Sequence, residues 1–177
     1  MVKIGKNKIG NSYPVYVIAE IGINHNGDMQ LVKNLIDEAY QAGANAVKFQ
    51  KRTPEICVPD EQKSIERDTP WGRISYLKYK ERIELSNDNY VFIDKYCKNK
   101  GIDWFASCWD LPSLEFIKSL NPVAYKIASA SLTDEALVKE HSKLKEAIIL
   151  STGMSTLKEI RSAEKILRNN NLLIAHS

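Results

Sequence analysis

Six polar side chains stand at or near the ends of short apolar runs: Glu20, Lys48, Gln50, Lys126, Ser129 and Ser151. Lys48 and Lys126 each sit inside an apolar segment, Ala46-Val47-Lys48-Phe49-Gln50 and Ala124-Tyr125-Lys126-Ile127. Burying an unpaired ammonium is costly, so each lysine needs an anion. Glu20 can serve one of them as an ion pair. Two lysines against one carboxylate leave a positive surplus, which suits a phosphate or carboxylate ligand. Serine hydroxyls and backbone N–H groups at neighbouring strand ends can add donors to the same oxyanions. The chemistry implied is recognition of a small dianionic or trianionic substrate, with Glu20 left for proton transfer or orientation. Each residue also has a structural alternative. Glu20 and Lys48 can form a buried bridge for its own sake, the serines can cap helices, and Gln50 can bond only a loop.

The elements that would position these groups follow from the hydrophobic pattern. Residues 3–9 read as a short hairpin turning at Lys6-Asn7. The β-branched run Val15 to Ile21 reads as a strand buried on both faces. Asp28 is placed to cap a helix that Gly43 closes. Strands are expected at Ala46 to Gln50, Ile102 to Ser107, Ala124 to Ser129, Ala147 to Ser151 and Leu172 to Ala175. Helices between them are opened by Ser86, Asp110, Thr133 and Thr156, the last with Glu159 at capping-box spacing. The apolar stripe of that last helix is Leu157, Ile160, Ala163 and Leu167. Lys51 to Leu85 is too long for an ordinary connection and carries Trp71, Tyr76 and Tyr79, which suit either a lid or a satellite core.

Strict alternation of strand and helix admits an open doubly wound sheet or a (β/α)8 barrel. GxGxxG is missing after the first long strand, as is a P-loop. Polar residues at the carboxyl ends of successive strands are what a barrel mouth requires. The expectation is an α/β fold, a (β/α)8 TIM barrel that stops after about six strands, with a short N-terminal β-hairpin. Residues 1–177 are read as this one barrel domain, amino-terminal and incomplete.

Composition limits the functional classes. A net charge of +3 over 177 residues is too weak to argue for nucleic acid or a membrane surface. No apolar run approaches the roughly 20 residues that span a bilayer, and no secretory signal is visible at the start. Cys57, Cys97 and Cys108 are odd in number and form no CxxC, so the expected compartment is reducing and cytoplasmic. His25 is expected to shape its loop, and His141 to be solvated on a charged helix end. His176 could touch a ligand.

Six segments carry a resemblance. They are Ile18-Ala19-Glu20-Ile21-Gly22-Ile23-Asn24-His25-Asn26-Gly27, Val47-Lys48-Phe49-Gln50, Thr69-Pro70-Trp71-Gly72, Trp104-Phe105-Ala106-Ser107-Cys108-Trp109-Asp110, Tyr125-Lys126-Ile127-Ala128-Ser129-Ala130-Ser131, and Ile149-Leu150-Ser151-Thr152-Gly153-Met154-Ser155. In that order the chain resembles the N-acetylneuraminate (sialic acid) synthase family. The resemblance implies a carbohydrate-biosynthetic transferase that condenses phosphoenolpyruvate with an N-acylated amino sugar such as N-acetylmannosamine and releases phosphate. It implies that Lys48, Lys126, Ser129 and Ser151 hold phosphoenolpyruvate, that Gln50 helps bind the sugar, and that Glu20 orients groups or moves a proton. It implies a divalent metal, Mn2+ or Mg2+, whose histidine ligands lie outside this chain, and a homodimeric full-length protein. Many members have Ser-Thr-Pro-Phe where this chain has Ser107-Cys108-Trp109-Asp110, so a hydroxyl is expected to be lost at Cys108. Two other readings stay open: a related phosphoenolpyruvate-dependent aldulosonate synthase, and a non-catalytic remnant.

Overall fold

The computed structural model describes residues 2–176. A hairpin comes first, β1 (Val2–Ile4) against β2 (Asn7–Ile9), with Ile4 opposite Asn7. Its turn falls on Gly5-Lys6, one residue earlier than expected, because Gly5 takes the left-handed φ of +53°. The barrel strands follow, each with its helices. They are β3 (Ile18–Gly22) with α1 (Met29–Gln41), then β4 (Ala46–Lys51). An insertion comes next, made of α2 (Pro54–Cys57), α3 (Asp60–Lys63), the hairpin β5 (Glu66–Thr69) and β6 (Gly72–Ser75), and α4 (Tyr76–Ile83). After it stand α5 (Asn87–Lys100), β7 (Asp103–Cys108) and α6 (Leu111–Ser119). The chain continues through β8 (Ala124–Ile127), a 3-10 turn (Ser129–Ser131) and α7 (Glu135–His141). It closes with β9 (Ala147–Ser151), α8 (Leu157–Leu167) and β10 (Asn171–Ala175).

Six strands form one parallel sheet in the order β10-β9-β8-β7-β4-β3. Strand pleating divides each sequence between two faces. On β4, Val47 and Phe49 join a core with Val32 and Ile36 of α1, Ile93 of α5 and Leu114 of α6. On β7, Trp104, Ala106 and Cys108 join the same outer core. The alternate residues Ala46 and Phe105 face inward and pack with Ala124, Ala147, Ile149 and Ile4. Ile18 on one edge strand and Leu173 and Ala175 on the other reach this same inner cluster. The sheet is therefore curled around its inner face into a six-stranded arc of a (β/α)8 barrel. Ile4 of the N-terminal hairpin is 2% exposed and closes the arc at the amino ends of the strands.

Several local expectations are corrected. Val15 and Val17 are exposed and precede the strand. β3 can begin only where a partner begins, and Ile18 pairs with Ala46, the first residue of β4. The segment from Lys51 to Leu85 is an ordered subdomain rather than a bare loop. Trp71 and Tyr76 both pack against Tyr79, at 6.4 Å between ring centroids. Strand β8 ends at Ile127, and Ser129 belongs to the 3-10 turn. The cap of α7 is Asp134, which accepts from the Leu137 N–H, one residue beyond Thr133. Leu157 starts α8 and points to solvent, so the buried stripe is Ala163 and Leu167 with Ile160 beside them. His141 is not solvated. Its Nδ1–H donates to the Leu137 carbonyl at 2.8 Å, and the ring packs edge-on against Tyr125. Burial pushes its pKa down to about 4, so the imidazole is neutral. The helix end is polar by sequence, but α7 turns that residue toward β8.

One glycine sets the relation between the barrel and the insertion. Gly27 has φ of +79°, and a Cβ there would lie 2.3 Å from the carbonyl oxygen of Arg82 at the end of α4. Gly27→Ala is expected to lower stability by at least about 2 kcal/mol, from the unfavourable φ and the clash together. Urea unfolding measures it, and a change below a few tenths of a kcal/mol would show that the close approach is not required.

Candidate functional site

The inward face changes character along each strand. Near the amino ends it is apolar, and at the carboxyl ends it becomes polar. Glu20, Lys48, Gln50, Lys126, Ser129 and Ser151 all line one cavity of about 320 Å³ at that end. Register explains the convergence. Glu20 pairs with Lys48, Gln50 with Ser107, and Ser107 with Lys126, so these side chains share the inner face at neighbouring positions. A bulge between Glu20 and Gly22, where Gly22 has φ of +57°, ends the β3 ladder beside the cavity.

Lys48 is buried, and its ammonium lies 2.9 Å from Glu20 Oε1. It also donates to Ser107 Oγ at 2.9 Å and to the Phe49 carbonyl at 3.1 Å. Burial lowers the Lys48 pKa, and Glu20 opposes that shift. The Glu20 side chain is 59% exposed, so its carboxylate is open to the cavity as well as to Lys48. The ion pair and a role toward a ligand are therefore compatible.

Lys126 has no carboxylate at ion-pair distance among the described residues. Its ammonium donates to Ser151 Oγ at 2.6 Å and to the Ile127 carbonyl at 3.2 Å, both neutral acceptors. Its pKa is lowered to about 8, first by burial and then by the neighbouring charge of Lys48. Two ammonium groups thus face one cavity with a single carboxylate between them. That positive surplus suits an anion, because a low local dielectric strengthens each contact.

Ser107, the polar residue at the expected end of its strand, also lines the cavity, as do Asn24 and Trp109, which were not singled out by sequence. The strand pleat was the available signal for Ser107. Residues 105 and 107 share the inner face of β7, so the hydroxyl belongs to Ser107. Cys108 points into the outer core, fully buried, where its thiol is pushed up by desolvation and is inert. The hydroxyl difference at Cys108 therefore falls on the outer face of β7 and leaves the cavity wall unchanged. His25 lies in the β3–α1 loop, where its Nδ1 accepts from the Gly27 N–H at 3.0 Å. It shapes that loop, and burial pushes its pKa down to about 4. His176 is exposed beyond β10 and does not line the cavity.

Among the described residues, no three His, Cys, Asp or Glu side chains converge to hold a metal ion. The one carboxylate in the cavity, Glu20, is engaged by Lys48. A hard divalent cation prefers several oxygen ligands, and this donor set does not fit one. Among the same residues, no helix is long and apolar enough to cross a membrane.

Comparison with known proteins gives a consistent result. Residues 35–177 match the NeuB family. The N-acetylneuraminate-9-phosphate synthase of Drosophila melanogaster is 35% identical over 160 residues, which are 88% of this chain and 42% of that protein. The N,N'-diacetyllegionaminic acid synthase of Legionella pneumophila is 33% identical over 160 residues, 87% of this chain and 44% of that protein. Among solved structures, the sialic acid synthetase of Leptospira borgpetersenii serovar Hardjo-bovis, in complex with citrate, superposes with a TM-score of 0.88 at 28% identity. It covers 99% of this chain and 58% of that one. The chain spans about half the length of the curated relatives it matches.

Proposed function

This chain belongs to the NeuB family, and from that premise we propose that its cavity holds phosphoenolpyruvate for condensation with an N-acylated amino sugar. The single observation that carries the reading is the pair of ammonium groups, buried Lys48 and half-buried Lys126, facing one cavity in which Glu20 is the only carboxylate among the described residues. Phosphoenolpyruvate is a small polyanion with a carboxylate and a phosphate. Lys48 with Ser107, and Lys126 with Ser151, form two cationic donor pairs. Each pair can take one of the two anionic groups. Ser129 adds a hydroxyl at the rim. Glu20 stands at the open side, where it can orient a sugar hydroxyl or move a proton. Gln50 presents its amide to the same space. In the reaction the methylene carbon of phosphoenolpyruvate bonds to the sugar aldehyde carbon, whose C=O π bond opens and takes a proton, a water molecule adds to C2, and the C2–O bond to phosphate breaks, leaving a 2-keto acid and inorganic phosphate. The related synthases named for sialic and legionaminic acids support a nonulosonic acid product. Among the described residues both cavity lysines are taken by one substrate, so a phosphate on the acceptor, as in the 9-phosphate for which the Drosophila relative is named, would need cationic groups beyond this cavity. Among the described residues no His, Cys, Asp and Glu cluster offers a ligand set for the divalent metal of that chemistry.

The test is titration calorimetry of the 177-residue chain with phosphoenolpyruvate at pH 7. One saturable site per chain is expected. Addition of N-acetylmannosamine and manganese then asks for phosphate release. Binding without release limits this chain to holding the substrate. No phosphoenolpyruvate binding would overturn the reading.

A further inference from the structure

Charged groups that the anion site does not use gather at the carboxyl end of β4. Lys51 points outward, three residues after the inward Lys48 and with opposite parity. Glu84, which ends the insertion at the C-cap of α4, reaches into this layer. Its Oε1 accepts from Lys51 Nζ at 3.1 Å and from the Arg52 backbone N–H at 3.2 Å, while Oε2 lies 3.5 Å from Arg52 Nε. All three side chains are largely buried, Glu84 at 9% exposed. The Arg52 guanidinium lies 4.8 Å from the Trp109 ring centroid, and Trp109 itself lines the cavity. The guanidinium also donates to Oε1 of Gln50.

That last bond has a consequence for the cavity. A guanidinium has only donors, so the atom of Gln50 that meets it must be the carbonyl oxygen. The amide nitrogen is then turned the other way. It lies 3.6 Å from where a side-chain carbon would stand at Gly22, a residue of the cavity wall. Stacking on Trp109 and the contact with Glu84 hold the guanidinium in place, so the amide cannot flip without losing a charge-assisted bond.

We propose that Arg52 and Glu84 are positioning residues that lock the Gln50 amide with its N–H2 group toward the cavity, so that this corner selects a ligand offering an acceptor oxygen. The acyl carbonyl or a hydroxyl lone pair of an N-acyl amino sugar meets that requirement. A ligand offering only a donor at the same place does not. Recognition of the second substrate thus depends on the insertion, because the only carboxylate paired with Arg52 among the described residues is Glu84 at its end. The inference rests on the proposed function, since it assigns Gln50 to the acceptor sugar beside phosphoenolpyruvate.

The experiment follows the Gln50 side-chain amide by 15N–1H correlation in the full chain, assigned by its loss in Gln50→Leu. Phosphoenolpyruvate is titrated first and N-acetylmannosamine second. In the unaltered chain one Gln50 amide pair is expected, and it shifts when the sugar is added. In Arg52→Lys, which keeps the charge but not the fork, the pair should move before any ligand is added. Sugar affinity should then fall about tenfold while phosphoenolpyruvate affinity stays within about twofold, the scale of one lost polar contact. Glu84→Gln should act in the same direction. If that variant fails to fold because Lys51 is left unpaired, Arg52→Lys and Gln50→Glu still decide the matter. Gln50→Glu pairs with Arg52 and replaces the donor by a carboxylate, and its N-acetylmannosamine affinity, measured by calorimetry, should fall at least about tenfold with phosphoenolpyruvate affinity within about twofold. An unmoved Gln50 amide in Arg52→Lys, or equal losses for both ligands, overturns the inference alone. No response to phosphoenolpyruvate in the unaltered chain overturns the functional reading and this inference with it. A phosphoenolpyruvate response with no sugar response at Gln50 overturns the inference and leaves the anion site standing.

Discussion

Lys126→Met should bind phosphoenolpyruvate about 100-fold more weakly at pH 7 and yet melt at a higher temperature than the unaltered chain. Both halves have one cause. The Lys126 ammonium is held among neutral acceptors, Ser151 Oγ and the Ile127 carbonyl, with Lys48 as its nearest like charge. Its desolvation is not offset by any carboxylate at ion-pair distance among the described residues, so the empty fold carries a cost. Methionine keeps the unbranched stem and removes the charge. Each kcal/mol regained raises the melting point by roughly 2–4 °C in a domain of this size. The lost affinity is that of charge-assisted bonds to one anionic group, worth about 1.5–3 kcal/mol. Calorimetric melting and ligand titration on the same samples measure both. A lower melting point with unchanged affinity would show a structural lysine and sink the anion site. Lys48→Met should lose affinity to a similar degree without the gain in stability, because Lys48 already has Glu20 and Ser107.

The contrast between the two lysines marks how far the sequence could be read. The βα alternation was legible because each strand is a short apolar run and most helices carry a side-chain cap within a residue of its expected place. That Glu20, Lys48 and Lys126 face one cavity was legible because a lysine or glutamate inside such a run has few ways to be satisfied, and Gln50, Ser129 and Ser151 followed from their places at strand ends. What pleating decides was harder to see. Ser107 and Cys108 are adjacent, and only the phase of β7 sends the hydroxyl to the cavity and the thiol to the core. His141 looked solvated because its neighbours in sequence are charged, while the face that α7 buries is set by β8 and Tyr125. The insertion was opaque for a different reason. Its elements are one or two turns long, too short for a period to emerge, and they are ordered by contacts distant in sequence. Asp110 is an example. It caps α6 through the Ser113 N–H and also accepts from the Thr53 N–H, the Thr53 hydroxyl and the Cys57 thiol across the start of the insertion. Glu84 and Arg52 were missed for the same reason.

Phosphoenolpyruvate affinity should be lost as pH rises through 8, with a slope approaching tenfold per pH unit. The free protein holds Lys126 at about 8, lowered from 10.5 by burial and by Lys48. An anion needs the charged form, so above that value binding must first return a proton to the amine. Near pH 8 binding should therefore take up a fraction of a proton, visible as an enthalpy that depends on the ionisation heat of the buffer. Stability of the empty chain moves the other way. Between about 8 and 10.5 the unfolded chain binds more protons at this lysine than the folded one does, so unfolding free energy rises with pH across that window for this group. The penalty is fully present below pH 8 and lifted above 10.5, which is why the Lys126→Met comparison belongs at pH 7. Saturating phosphoenolpyruvate should erase that contribution, because the bound anion restores the lysine toward its ordinary value. Lys126→Arg stays charged throughout this range, and its affinity should be level where that of the unaltered chain falls. If the unaltered chain binds equally at pH 7 and pH 9.5, the proton is not on Lys126, and the cavity does not hold its ligand through that ammonium.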